Sequence, residues 1–470
     1  MSSPSVVWFR DDLRLSDNPA LQAAVARNAP LVLLYLLDEV SPGIRPLGGA
    51  TRWWLHHSLT ALTADIERLG GRLVLRRGSA DDEVPKMVAE TRAGAVFWNR
   101  RYGASRHLDA LLKTRLRDEG VEVASFPGHL LVEPGTVTTD SGTPYQVFTP
   151  FWRAARELPM REPLPAPAHL EAGPDVDGET LDDWKLLPTR PDWAAGLREA
   201  WEPGEAAAHR RLEEFATDGI ADYDRRDEPS IGTSKLSPHL RFGEISPAQI
   251  WERLHGDLTA AARRNVPKFL SELGWRDFNW SILYEHADLA TVNYRRAYDE
   301  FPWSWDRGPE VEAWQQGRTG IPLVDAGMRE LWRTGTMHNR VRMVVASFLV
   351  KNLLRHWRIG EEWFWDTLVD ADEASNPGNW QWVAGSGADA APYFRVFNPV
   401  LQAAKFDPSG EYIRRWVPDD ELLAPIVDLA ESRRGALEAF ASIRHAELPE
   451  RRREGFGEFA RVNRGRGPRS

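Results

Sequence analysis

The 470-residue sequence contains no cysteine. Disulfides, thiolate metal sites and cysteine nucleophiles are therefore excluded. It has no run of about 18 apolar residues, so no membrane-spanning helix is expected. The start, MSSPSVVWFRDDLR, lacks the basic region and long apolar region of a secretory signal, and a cytoplasmic location is the default expectation. No G-x-G-x-x-G follows the first apolar run, so the usual dinucleotide fingerprint is missing. No internal repeat of about 20–50 residues is present.

What is present fits a globular protein with 42% hydrophobic and 27% charged residues. The chain is too long for one core, which predicts two or three domains. A net charge of -10 argues against a protein that coats nucleic acid non-specifically. Yet Met337 to Arg358 holds Arg340, Arg342, Lys351, Arg355 and Arg358 and no acid, which predicts a local basic face. Tryptophan is abundant, with 21 residues, 13 of them at or after Trp251. Some belong to core, since an indole buries a large apolar area; the surplus in one region invites a stacking or redox role.

Short apolar runs at 5–9, 31–38, 73–78, 95–99 and 121–126 alternate with helical spacing at 51–69, 80–92 and 104–118. That alternation predicts a doubly wound, mainly parallel sheet. Asp17-Asn18-Pro19 reads as a helix start. Trp8, Phe9, Arg10 and Asp38 fall near strand ends, where such sheets bind ligands. Seven prolines between Pro159 and Pro191 forbid long helices and predict a surface connector. Helical spacing dominates from Trp201, and 327–357 reads as two helices joined near Gly335. The expected architecture is α/β: a Rossmann-like parallel-sheet domain at 1–131, a linker at 132–200, an all-α domain at 201–450 and a basic tail at 451–470.

Four segments carry chemistry. In 223–246, Thr233, Ser234 and Ser237 offer hydroxyls around a turn with Lys235 among them, the groups a pyrophosphate needs; helix capping is the competing reading. In 270–278, Glu272 and Trp275 share one helix face, pairing a hydrogen-bonding carboxyl with a flat stacking surface, and Arg276 can reach a phosphate. In 337–343, Asn339 and Met343 lie one turn apart, and His338 is the only histidine. In 370–399, Asp370, Asp372, Asn376, Trp380 and Trp382 crowd together, divided by Asn376-Pro377-Gly378. Only Glu373 adjoins the Asp-x-Asp pair and no histidine stands beside it, so no metal is expected.

These motifs resemble the photolyase/cryptochrome family, from VVWFRDDLRLSDNPAL (6–21) to FDPSGEYIRRWVPD (406–419). The resemblance is strongest to class I photolyases for cyclobutane pyrimidine dimers, and it implies the following. The helical domain binds FAD, active in its reduced anionic form, through Tyr223, Thr233, Ser234, Lys235, Leu236, Ser237, Arg342, Asp370, Ala371, Asp372 and Asn376. Asn376 faces the flavin N5 and is no ready proton donor. Trp380, Trp357 and Trp303 relay an electron from the surface, with Trp305 the alternative outer member. Arg226, Glu272, Trp275, Arg276, Asn339, Arg340, Met343, Trp382 and Arg395 meet UV-damaged duplex DNA, with Lys405 beside them; Glu272 and Asn376 act in the chemistry. An antenna chromophore, deazaflavin or methenyltetrahydrofolate, is expected, with Lys268, Trp8 and Asp38 loosely fitting its pocket. The protein is expected to be a monomer. A cryptochrome photoreceptor and a (6-4) photolyase are the alternatives; Asn376 and Met343 count against the first and the single histidine against the second.

Overall fold

Five apolar runs become one parallel sheet: β1 (Ser5–Phe9), β2 (Leu31–Leu37), β3 (Leu73–Arg77), β4 (Ala95–Asn99) and β5 (Glu122–Phe126), in the order β3-β2-β1-β4-β5. Every residue of β1, β2 and β4 is buried, as expected of strands covered by helices on both faces. β1 pairs in parallel with both β2 and β4, so the strand order reverses beside it. The helix Pro19–Ala26 starts as the sequence predicts: Asn18 accepts from the Leu21 amide and proline takes the first helical position. The chain is a computed structural model describing residues 2–390 and 394–443, so the expected tail at 451–470 lies outside the described residues.

The proline-rich connector follows the sheet. The Leu31 amide donates to the Glu171 carbonyl at 2.8 Å and the Glu179 amide to the Leu75 carbonyl at 2.8 Å. Its upstream part is not a plain linker. The helix Phe148–Ala155 packs against the long helix Ala260–Glu285, and Gly274 leaves room for Trp152, whose ring an added Cβ would meet at 2.4 Å.

From Trp201 onward the described chain is helical. The helix Pro322–Thr334 stops at Gly335, which adopts φ +67, a left-handed conformation glycine accepts without strain. The next helix, Asn339–Ser347, passes into a wider turn at Phe348–Asn352, and a third helix starts at Trp357. The two helices expected over 327–357 are thus joined at Gly335, and Leu354 at φ +49 marks the break before the third. Asn376-Pro377-Gly378 opens a helix instead of breaking one. Pro377 sits in the first turn of Ser375–Ala384, where its missing N–H costs nothing. The domains are tied by buried groups: Asp11 pairs with Arg241 at 2.7 Å, and the Trp54 indole donates to Glu244 at 3.0 Å.

Candidate functional site

The loop before the helix Ser237–Arg241 presents its hydroxyls outward. That helix has Leu236 as its first cap and no side-chain cap, so Thr233, Ser234 and Ser237 are not consumed by capping. Ser237 Oγ donates to Asp370 Oδ2 at 2.6 Å, and Asp370 takes a forked pair from Arg342 at 3.2 and 2.9 Å. This joins three expected cofactor residues into one unit. Lys235 is exposed and makes no ion pair among the described residues. Desolvation and the charge of Arg211 hold its ammonium below the ordinary lysine range, so an anion here is favoured. Arg241, which sequence reasoning missed, donates to the Ala371 carbonyl at 2.8 Å and fixes the loop between the two aspartates. Tyr223 is buried with its ring edge-on to Phe215 and Phe269.

Asp372 Oδ1 accepts from the Ala374 and Ser375 amides at 2.8 and 2.5 Å, which sets the entry to the next helix. Four residues on, Asn376 is buried and its amide nitrogen is committed. Nδ2 donates to Glu361 Oε1 at 2.8 Å and to the Glu361 carbonyl at 3.0 Å. Only Oδ1 is left for another partner. Glu361 carries no local sequence signal; it reaches this position because helix 357–367 packs on helix 375–384.

Trp380 lies against the backbone of the Trp357–Thr367 helix, where Gly360 leaves space for its ring. Trp357 is fully buried and donates to Asn293 Oδ1 at 2.8 Å. Beyond it His356 lies 5.6 Å from Trp357 and stacks on Trp305 at 3.8 Å and 14°. Trp305 is 54% exposed, whereas Trp303 is 9% exposed and donates to the Val350 carbonyl at 2.9 Å. Of the two rings considered for the outer relay position, Trp305 is the one that meets solvent.

Glu272 is partly exposed and pairs with Arg226 at 3.4 Å. Burial pushes its carboxyl up, and Arg226 opposes that. Trp275 is stacked on one face by Phe148 at 3.8 Å and 12°. Trp275 and Trp382 line the same shallow pocket, together with Asn279 and Asn379 but without Glu272, Asn339 or Met343. Arg395 lies over the Trp382 ring at 6.0 Å. Asn339 is exposed and Met343 half-buried on their helix. His338 caps that helix, accepting from the Arg340 amide through Nδ1 at 3.2 Å, and burial lowers its pKa to about 4.

Three expectations are corrected. Arg276 does not reach outward: its side chain is 11% exposed and donates to the His129 carbonyl and ring at 2.7 Å each, linking the two domains. The basic face expected over 337–358 is not continuous. Arg340 pairs with Asp227 at 2.9 Å and Arg355 with Glu310, acids from other segments, and Arg358 with Glu362 at 3.7 Å one turn along its own helix. Lys351 is buried against the Arg395 carbonyl, and burial brings its pKa down to about 7. At the sheet, Trp8 and Phe9 are core, Arg10 pairs with Asp109 at 2.7 Å, and Asp38 accepts from the Ser41 and Ala80 amides at 2.9 and 3.1 Å. The Lys268 ammonium lies 3.4 Å from the Asp224 carbonyl and near Glu272.

With that geometry, comparison with known proteins is informative. Residues 5–168 match the family described as DNA photolyase, and residues 269–424 match the FAD binding domain of DNA photolyase. A deoxyribodipyrimidine photo-lyase of Agrobacterium fabrum is 47% identical over 94% of this chain and 98% of its own. Cryptochrome-1 of Arabidopsis thaliana is 38% identical over 88% of this chain and 63% of its own. The crystal structure of a class III photolyase from Agrobacterium tumefaciens superposes with TM-score 0.89 at 45% identity, covering 95% of this chain and 98% of that one. The class I expectation is overturned by this likeness to a class III protein.

Proposed function

The chain belongs to the DNA photolyase family, and from that premise we propose that it is a class III photolyase splitting cyclobutane pyrimidine dimers in duplex DNA. It is a light-dependent DNA repair enzyme that uses FAD. The observation that carries the lesion assignment is His338. A (6-4) lesion needs a proton donor to open it, and the single histidine of 337–343 is a helix cap whose ring stays neutral near pH 7. The site offers no histidine acid there, and a cyclobutane dimer needs none.

The residues present fit the cofactor. Lys235 makes no ion pair among the described residues, three hydroxyls stand uncommitted to capping beside it, and Asn376 keeps one free oxygen. Thr233, Ser234, Lys235 and Ser237 would hold the pyrophosphate, with Tyr223 and Leu236 packing beneath. Asp370, Ala371, Asp372 and Arg342 would hold the ribityl and ring region. Bound FAD, once reduced, supplies the electron on absorbing light. Asn376 presents an acceptor oxygen and has no proton to give, which suits a reduced flavin and counts against photoreceptor chemistry built on flavin protonation. Trp305, Trp357 and Trp380 would feed an electron inward from solvent.

The dimer leaves the base stack at a cost that the damage has already lowered. Trp275 and Trp382 offer it flat faces, and Arg226, Asn339, Arg340, Met343 and Arg395 frame it and its flanking phosphates. Glu272 would hydrogen-bond the pyrimidine carbonyls, where negative charge develops. An antenna of folate or deazaflavin type and a monomeric state complete the proposal; the absorption spectrum of the purified protein identifies the first. The functional test is Glu272→Ala, scored separately for repair quantum yield and for affinity to dimer-containing DNA. The yield falls more than the affinity on this account, and an equal fall in both counts against the assigned role.

A further inference from the structure

Arg45 belongs to the α/β domain, in the loop after β2, yet its guanidinium crosses to the helical domain and forks onto Glu361. Nη1 donates to Oε1 at 2.6 Å and Nη2 to Oε2 at 3.1 Å. Glu361 is the carboxylate whose Oε1 accepts from Asn376 Nδ2, and its side chain is 1% exposed. The loop is firmly placed. Arg45 lies 4.1 Å over the Trp365 ring, the Trp365 indole donates to the Pro46 carbonyl at 2.9 Å, and the Gly49 amide donates to Asp366 at 2.8 Å. A Cβ on Gly48 would lie 2.1 Å from the Trp365 carbonyl oxygen, so the approach requires glycine there.

We propose that Arg45 is a positioning residue for the flavin-facing amide, acting from the neighbouring domain through Glu361. This rests on the reading above that Asn376 faces the flavin N5. An ionised carboxyl only accepts hydrogen bonds, whereas a neutral one carries a hydroxyl that donates. Burial holds the Glu361 carboxyl above its ordinary range, the Arg45 hydrogen bond and charge pull it part of the way back, and Glu362 and Arg358 act in opposite directions beside it; the geometry of the fork, with both carboxyl oxygens accepting N–H bonds, is that of the carboxylate. With the fork in place, Glu361 takes only the N–H bonds of Asn376 and leaves the amide oxygen for the flavin. Without it, a Glu361 hydroxyl competes for that oxygen and the amide can turn over. An oxygen facing N5 favours the flavin when that nitrogen carries a proton, in the reduced state. An NH₂ there favours the lone pair of the oxidised state. Arg45 therefore raises the electron affinity of the bound flavin.

The test is the midpoint potential of the bound flavin, measured by spectroelectrochemistry on the full-length holoprotein. Arg45→Met, which keeps a stem over Trp365, shifts the potential to more negative values. Arg45→Lys, which keeps charge without the fork, shifts it less in the same direction and carries the test if Arg45→Met does not accumulate. Because Arg45 acts through Glu361, adding Arg45→Met to Glu361→Gln produces little further shift; interacting residues are non-additive in this way. Asn376→Ser separates the two readings. A shifted Asn376→Ser with unshifted Arg45 variants overturns the inference, as does full additivity with Glu361→Gln. An unshifted Asn376→Ser overturns the flavin-facing reading itself.

Discussion

Gly360→Ala tests the seat of Trp380. An alanine Cβ at 360 would lie 2.0 Å from Trp380 Cη2, 2.5 Å from Cζ3 and 2.6 Å from Cζ2. Carbon atoms settle at about 3.5–4.0 Å, so the indole must retreat by more than about 1 Å. It has nowhere to go: Trp380 is 3% exposed and packs edge-on against Phe364 at 5.0 Å and Trp314 at 6.2 Å. Alanine gains about 1 kcal/mol of helix propensity over glycine, while overpacking costs about 1–3 kcal/mol. The expected net result is a loss of up to about 2 kcal/mol. Gly435→Ala is the control. It lies in the helix Leu429–Ile443 with nothing within 4 Å of the added Cβ, and it gains up to about 1 kcal/mol. Thermal denaturation ranks the two variants, and transient absorption after a flash reads flavin photoreduction. Gly360→Ala should melt below wild type and photoreduce more slowly. A variant as stable as Gly435→Ala with unchanged kinetics would refute the packing of Trp380 on helix 357–367 as the basis of electron entry.

Three further outcomes are expected. Trp305→Phe slows photoreduction by an external donor more than Trp303→Phe does; the reverse order restores Trp303 to the outer position. Asp277 is buried, accepts from the Val132 amide at 3.0 Å, and is raised by burial to about 7 from 3.8. Its folded value lies above its unfolded one, so wild type loses stability as pH rises from 3.8 to about 7. The melting advantage of Asp277→Asn over wild type should then grow between those values, by about 1.4 kcal/mol per pH unit at most, and level off above; a constant difference across pH speaks against a buried, raised carboxyl. Phe148→Ala removes the stack beneath Trp275, worth about 0.5–1.5 kcal/mol. Binding of dimer-containing DNA weakens several-fold in a titration, with undamaged DNA bound as before; equal weakening of both contradicts a lesion-side role.

The parallel sheet was legible because its strands are short, wholly apolar and separated by helical spacing, and the Asn18-Pro19 start is a local signal with a local cause. The hydroxyls and lysine of the loop at 233–237 were legible as a group because they fall within five positions, whereas Asp370 and Arg342 were named only through the family resemblance. What escaped depends on distant partners. Arg355 and Arg358 read as a bare basic face because Glu310 and Glu362 sit outside the window in which charge was counted. Arg276 read as outward-facing because nothing local reveals His129 across the domain boundary. Trp303 and Trp305 share one motif, and only burial separates them. Arg45 and Glu361 stand more than three hundred positions apart in sequence, so no motif could join them. Phe148 lay in a stretch read as linker, although it forms the stack under Trp275.

The most direct measurement is repair itself. Reduced protein is illuminated with an oligonucleotide bearing one defined thymine cyclobutane dimer and, separately, one bearing a (6-4) lesion. The account predicts light-dependent restoration of the first and none of the second. Repair of the (6-4) lesion would contradict the assignment drawn from His338, and repair of neither by a flavin-loaded protein would contradict the proposed function.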